Sequence, residues 1–330
     1  MAITVRLAGG AQGFNWLPVF VAEQEGLFEK HGLKIEYLRL GSVDKATIAV
    51  AEGEAELAIT PPEGAVSNYA KGGELRIVAS NSNRLPMSIV AAPSIKSIGG
   101  LKGKKIGTSS LTEGTAIYTQ MLLSREGLKY PGDYEFVLAG VHTTRWAALQ
   151  AGDIDCAPQP APWNFIAESA GYNLIGEIND VIPEILFAAL IAKKSWLELN
   201  SETVGKLLKA LAEAYLITND PSQEEEIALP IFQRITVPDD ADLARRGLRY
   251  MRDMGMWPNG LAIPERAIET TIDLMIQAGL LDEGTRMSAV GVFDNSYSKR
   301  RWRDAWVGLS VAEAKETIVS LLRPKVSPPL

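Results

Sequence analysis

Cysteine and histidine are nearly missing from this chain: its 330 residues hold one cysteine, Cys156, and two histidines, His31 and His142. A single cysteine excludes an intramolecular disulfide, and so few soft ligands, set so far apart, argue against a zinc site; no metal or cofactor is expected. An excess of basic residues is missing too. The formal net charge of -7 argues against a nucleic-acid partner. The one basic cluster, Lys299, Arg300, Arg301 and Arg303, is broken by Trp302 and reads as a solvated helix face. No run approaches the roughly 18 apolar residues of a membrane span. Nor is a signal peptide legible, because Met1 leads almost at once into an alternating strand at 3–7. The expected compartment is the periplasm if a signal was removed, and the cytoplasm otherwise.

What is present is a globular balance, 46% hydrophobic and 22% charged, over a length that allows two domains. Strand patterns at 4–8, 33–40, 55–60 and 75–80 are separated by helical ones at 15–29 and 44–51 and after Pro61-Pro62-Glu63. The pattern breaks at 81–86 and then restarts. Strands at 87–92, 104–107, 136–138 and 173–178 alternate with helices at 114–124 and within 158–170. The unbroken apolar run ILFAALIA at 185–192 reads as a return crossing, after which the chain turns mainly helical, at 203–217, 224–234, 240–254 and 264–278. No internal repeat is visible. Strands alternating with helices imply two α/β lobes, each a mostly parallel sheet flanked by helices. The first lobe is expected to combine 1–84 with 190–330, and the second to span 85–189.

Open α/β sheets bind ligands beyond the carboxyl ends of their strands, so the loops there define a candidate cleft between the lobes. In the first lobe they offer Gln12, Phe14, Asn15 and Trp16, then Thr60, Pro61 and Glu63, then Ser80 and Asn81. The second lobe offers Ser109, Ser110, Thr112 and Thr115, then His142 and Arg145, then Gln159 and Trp163. Hydroxyls crowded before the helix at 114–124 can serve a ligand together with unpaired backbone donors. Ser110 and Glu113 equally fit a capping box. Phe14, Trp16, Trp146 and Trp163 can stack on a flat ligand or fill the core, with packing favoured for Trp146. Arg145 gains nothing from the dipole of a helix start, so its partner is a ligand carboxylate or sulfonate, an acidic side chain, or a surface ion pair. Glu63 suits a helix's first turn, or a ligand amine or N–H group. His31 reads as a solvent-facing helix end and Cys156 as a small buried residue.

Several stretches, taken in order, resemble the substrate-binding proteins of nitrate/sulfonate/taurine-type ABC importers and their relatives for thiamin-pyrimidine precursors. They are GLFEKHGL at 26–33, GEAELA at 53–58, PMSIV at 86–90 and LKGKKIGTSS at 101–110. Leu122-Leu123, Gly127-Leu128 and RWAALQAGDID at 145–155 complete the pattern over roughly residues 4 to 200. The resemblance implies a two-lobed type II periplasmic-binding-protein-like fold that closes by hinge motion over a sulfonate, aromatic carboxylate or pyrimidine-like solute. It also implies delivery to an ABC permease; a monomer without catalytic residues is expected. The family's ligand loops correspond here to 12–16, 60–63, 80–81, 109–115 and 160–163. Where many relatives carry a serine-glycine-serine cradle, this chain has Thr112-Glu113-Gly114-Thr115, and a carboxylate there competes with an anionic ligand. The rival expectation is a signal-less enzyme on the same fold, decarboxylase- or desulfinase-like, drawing on Cys156, His142, Glu63 or Glu113.

Overall fold

Period-two alternation of aliphatic residues builds ten strands among the residues described by the computed structural model, which are 2–10, 12–109, 111 and 114–298. In chain order they are β1 (Ile3–Gly9), β2 (Leu33–Arg39), β3 (Leu57–Thr60), β4 (Leu75–Ser82) and β5 (Met87–Ala91). The other five are β6 (Lys105–Thr108), β7 (Glu135–Leu138), β8 (Cys156–Pro160), β9 (Asn173–Glu177) and β10 (Ala188–Lys193). They form two five-stranded sheets of orders β2-β1-β3-β10-β4 and β7-β6-β8-β5-β9. Although no repeat is visible in the sequence, the two orders correspond strand for strand. In each sheet the strand between the third and fourth parallel members, β10 or β5, runs antiparallel to both neighbours.

That antiparallel strand follows from the chain's path. The chain leaves the first sheet at the carboxyl end of β4, so β5 starts on the side where the parallel strands end; β10 starts there for the same reason after β9. The crossing segments are tied together. Ile185 N–H donates to the Asn83 carbonyl (3.1 Å) and Phe187 N–H to that of Ser82 (2.9 Å). Both sheets therefore present their carboxyl ends toward the crossings, and loops from both lobes meet there.

Helices cover both faces of the first sheet. Leu57, Ile59, Val78 and Leu190 face α1 (Leu17–Gln24) and α2 (Leu27–Lys30), while Ala58, Ile77 and Ile191 face α3 (Val43–Glu52) and α4 (Glu63–Ala70). In the second lobe Ile89, Ile106 and Cys156 pack with α5 (Thr115–Arg125), and Val90 and Ala157 with α6 (His142–Ala151) and α7 (Trp163–Ser169). The later helices are α8 (Lys194–Leu199), α9 (Ser201–Asn219), α10 (Leu229–Thr236), α11 (Ala241–Asp253), α12 (Glu265–Gln277) and α13 (Arg286–Ala289). Of these α9, α10 and α11 complete the first core, which also takes in Ala161 and Phe165 of the second lobe.

Three expectations need correction. The helix read at 15–29 is divided: Gly26 adopts a left-handed φ of 64°, ending α1 and starting α2 as a separate turn. β4 continues through Ser82, so Ser80 and Asn81 lie in a strand rather than in a loop. Residues 158–160, read as loop, belong to β8. Pro158 and Pro160 are tolerated there because β8 pairs with β6 only at Ile106–Cys156, where a missing donor further along costs nothing. The 299–303 cluster, Ser110, Thr112 and Glu113 lie outside the described residues. Among those described, no helix is long and apolar enough to cross a membrane.

Candidate functional site

The first lobe's wall starts at Gln12, just beyond β1. Its φ of 43° is unusual for a residue with a side chain, its carboxamide is buried, and Nε2 has no hydrogen-bond partner among the described residues. Backbone held in this region costs about 1–3 kcal/mol and persists where the surroundings impose it. Phe14 stacks parallel to Phe187 of the return crossing, with ring centroids 6.1 Å apart. Asn15 is half-buried beside it. Trp16 is only 1% exposed and packs on Phe20 and Tyr37, so its ring fills the first core instead of standing in a cleft. Its indole also lies where a Cβ on Gly9 would fall.

Beyond β3, Thr60 donates to the Val43 carbonyl at the start of α3 (3.3 Å), and Pro61 leads into α4. Glu63, the first residue of α4, is 3% exposed. At the end of β4, Ser80 bonds Asn83, while Asn81 Nδ2 donates to Tyr215 of α9 at 2.8 Å and receives that hydroxyl on its own carbonyl at 2.7 Å. Asn81 is thereby fixed by a residue that no local pattern links to it.

On the second lobe, Ser109 is exposed and pairs with Thr115. Its N–H donates to Thr115 Oγ1 (2.9 Å) and the two hydroxyls lie 2.8 Å apart, so both groups first serve to close their own loop. Tyr118 and Thr119 follow on α5. Tyr118 is 1% exposed and its hydroxyl reaches Glu63 Oε1 across the lobes at 3.1 Å. Thr108 and Thr119 are buried, with hydroxyls that have no partner among the described residues. Sequence reading singled out neither Tyr118 nor Thr119, though a signal existed: with Thr115 they fall at i, i+3 and i+4, a polar stripe on an otherwise apolar helix.

Arg145 is not a surface ion pair. It is 3% exposed, donating from Nε to the Pro158 carbonyl (3.1 Å) and from Nη1 to that of Gly140 (2.8 Å). Burial brings its guanidinium down to about 10. His142 opens α6, and burial, aided by the Arg145 charge, lowers its imidazole to about 4, so it is neutral at physiological pH. Its ring lies 5.4 Å from that of half-buried Trp163, and its carbonyl accepts from Gln159 Nε2 at 3.3 Å. Gln159 is fully buried, and its Oε1 has no partner among the described residues. Trp146 packs on Tyr172 at 4.9 Å in the second core. Cys156 is in a core as well, where burial pushes its thiol well up. No group of three or more His, Cys, Asp or Glu able to hold a metal occurs among the described residues.

The profile of the NMT1/THI5-like family matches residues 13–224. A Brucella abortus (strain 2308) protein named as a binding protein is 28% identical over 211 residues, 63% of this chain. The chain spans 65% of the length of that relative, and of its Brucella suis counterpart. Among solved structures, a Bordetella bronchiseptica RB50 protein superimposes with a TM-score of 0.73 at 22% identity, over 92% of this chain and 98% of that one. The periplasmic aliphatic sulphonate binding protein of Escherichia coli gives 0.69 at 18% identity, over 86% and 95%. The periplasmic nitrate-binding protein of Synechocystis PCC 6803 gives 0.71 at 14%, over 94% and 90%. At these identities the likeness is one of fold.

Proposed function

Because the chain belongs to the NMT1/THI5-like family, we propose that it binds a small organic solute between its lobes and hands that solute to an ABC permease. The lobes that move are 1–84 with 190–330, and 85–189. Hinging takes place at the paired crossing segments. The similar structures named for sulphonate and nitrate binding support the transport role, which in turn favours the periplasm as the working compartment.

The observation that carries this reading is the set of buried polar atoms at the carboxyl ends of both sheets. Gln12 Nε2, Thr108 Oγ1 and Gln159 Oε1 have no partner among the described residues. A buried polar atom left unpaired costs about 1–3 kcal/mol, so a cleft that keeps several from different strands is built to be filled by a polar guest. Half-buried Trp163 beside neutral His142 adds a flat surface, which favours an aromatic or heterocyclic guest over a small inorganic ion. Sulfonates, aromatic carboxylates and pyrimidine-like compounds are the classes to screen.

Thermal-shift screening of these classes, followed by small-angle scattering on whatever stabilises the protein, tests the proposal. A binder is expected to raise Tm in proportion to the logarithm of its excess over Kd and to reduce the radius of gyration. Stabilisation without compaction would sink the closure mechanism, and turnover of the stabilising compound would sink the pure-binder role.

A further inference from the structure

We infer that the contact between α7 and α11 is a pivot, which stays shut while the lobes part on the side of α4 and α5. The inference rests on the hinge motion proposed above and adds its axis, and with it the side on which the cleft opens.

The start of α7 is wedged into the other lobe. Ala161 is fully buried and Phe165 is 7% exposed, and both belong to the core of the first lobe although they follow β8 of the second. Gly247 of α11 lets the wedge seat, since a Cβ there would come within 3.0 Å of Pro162 Cβ and 3.3 Å of the Phe232 ring. Phe165 is met edge-on by Tyr250, with ring centroids 5.4 Å apart, and covered by the Arg246 guanidinium. The other side of the same turn stays with its own lobe, because Asn164 Nδ2 donates to Ser88 Oγ of β5 at 2.8 Å. One turn of helix is thus fixed to both bodies.

A rotation leaves only its axis in place, so two regions fixed to both lobes define that axis. The crossing segments are the first. They are tied at Asn83, whose carbonyl accepts from Ile185 and whose N–H donates to the Met256 carbonyl just after α11 at 3.2 Å. Leu274 of α12 shares a core with Leu85, Ile182 and Ile185 of these segments. The wedge is the second region. The contact of α4 with α5 lies off this line, because those helices cover the faces of the two sheets opposite to α11 and α7.

The chemistry of the two contacts agrees with their placement. Parting α7 from α11 would expose Ala161, Pro162 and Phe165 to water, an apolar loss that nothing replaces. The hydrogen bond from Tyr118 to Glu63 can instead be exchanged for bonds to water at small net cost. The polar contact therefore opens and the apolar one turns. Trp163, next in the chain to Pro162, keeps its place against the first lobe throughout, so the surface it offers a guest stands ready before closure.

Spin-label distances in the full chain, without added solute, test the pivot. Cysteines at exposed Ser169 and Asp242 report on the α7–α11 contact, and cysteines at exposed Ala70 and Ser124 report on the side of α4 and α5. Buried Cys156 takes no label. The 70/124 distribution should be about twice as broad as the 169/242 one, or broader. Gly247→Leu, which drives Pro162 out of its seat, should broaden the 169/242 distribution. Should that variant fold poorly, Ala161→Cys keeps the test decisive: its thiol should react no faster than that of Cys156, and much faster reaction would show the wedge leaving the first lobe and overturn the pivot. A 169/242 distribution as broad as the 70/124 one would overturn the pivot and leave closure standing. Two equally narrow distributions would overturn both, since nothing would then rotate.

Discussion

The hydroxyl of Tyr118 on α5 donates to Glu63 Oε1 on α4 at 3.1 Å, joining helices of different lobes through two side chains that are 1% and 3% exposed. A side-chain hydrogen bond contributes about 0.5–1.5 kcal/mol, a sizeable part of the few kcal/mol that separate open and closed forms of a hinged protein. Tyr118→Phe keeps the ring and removes the donor. It should shift the unliganded protein toward an open form, seen as a larger radius of gyration by small-angle scattering. Unchanged scattering would mean that this bond does not hold the lobes together.

Helix α11 makes a second interlobe tie, away from the cleft. Arg246 stacks its guanidinium 3.8 Å over the Phe165 ring and bridges Glu168 at 2.8 Å, and Tyr250 donates to Glu177 at 3.1 Å. The Arg246 pair is about half exposed and adds little by itself. Tyr250 matters more, because Glu177 is held above its usual range by burial, and the Tyr250 and Ser88 hydroxyls only partly relieve it. Arg246→Ala with Tyr250→Phe should destabilise the protein by about 1–2 kcal/mol in urea titration. Hydrogen exchange should rise selectively along α7 and β9; a uniform rise would refute a tie specific to these elements.

Glu224 is a buried acid of the first lobe with two arginine partners. Its carboxylate accepts from Arg249 (2.8 Å) and from Arg252, which also donates to the Thr218 carbonyl at 3.1 Å. Removing one partner of a buried pair strands the other charge, a cost of about 3–5 kcal/mol. Glu224→Gln should therefore lower the unfolding free energy by about 3–5 kcal/mol, while Glu225→Gln, on the exposed side of the same turn, should leave the denaturation midpoint nearly unchanged. Similar losses for both would contradict the burial assignment.

Much of the architecture was legible because alternation is a local signal: the two series of strands, their order along the chain and the return at β10 follow from period two and from the polar break at 81–86. Long-range closure was not legible. Trp16 and Trp163 have the same sequence standing, each in or next to a candidate loop, yet Trp16 is core because Gly9 leaves room for its indole and Tyr37 meets it from β2. Arg145 reads as a ligand anchor or a surface ion pair because a cation gains nothing from the dipole of a helix start; its partners are carbonyls from the turn before α6 and from β8, which only folding brings together. Tyr118 was overlooked because an aromatic on an apolar helix reads as packing, and its hydroxyl becomes informative only once α4 is placed opposite.

His31 makes the same point and yields a pH prediction. Expected at a solvent-facing helix end, it is mostly buried and lies 2.9 Å from Glu213 of α9, 182 residues away, while Lys30 bridges the other oxygen of that carboxylate at 2.6 Å. Burial alone would raise Glu213, but the hydrogen bonds from Lys30 and His31 prevail and hold it below the ordinary value of 4.5. Between the two values the unfolded chain binds a proton that the folded protein does not, so stability rises with pH there. The contribution is complete above the unfolded value and is lost as pH falls through the folded one. Chemical denaturation at about pH 7 and about pH 3 should show the wild-type protein losing more stability than Glu213→Gln, which has no proton to take up. Equal losses would mean that the Lys30–Glu213–His31 cluster does not hold α2 to α9 in its charged form.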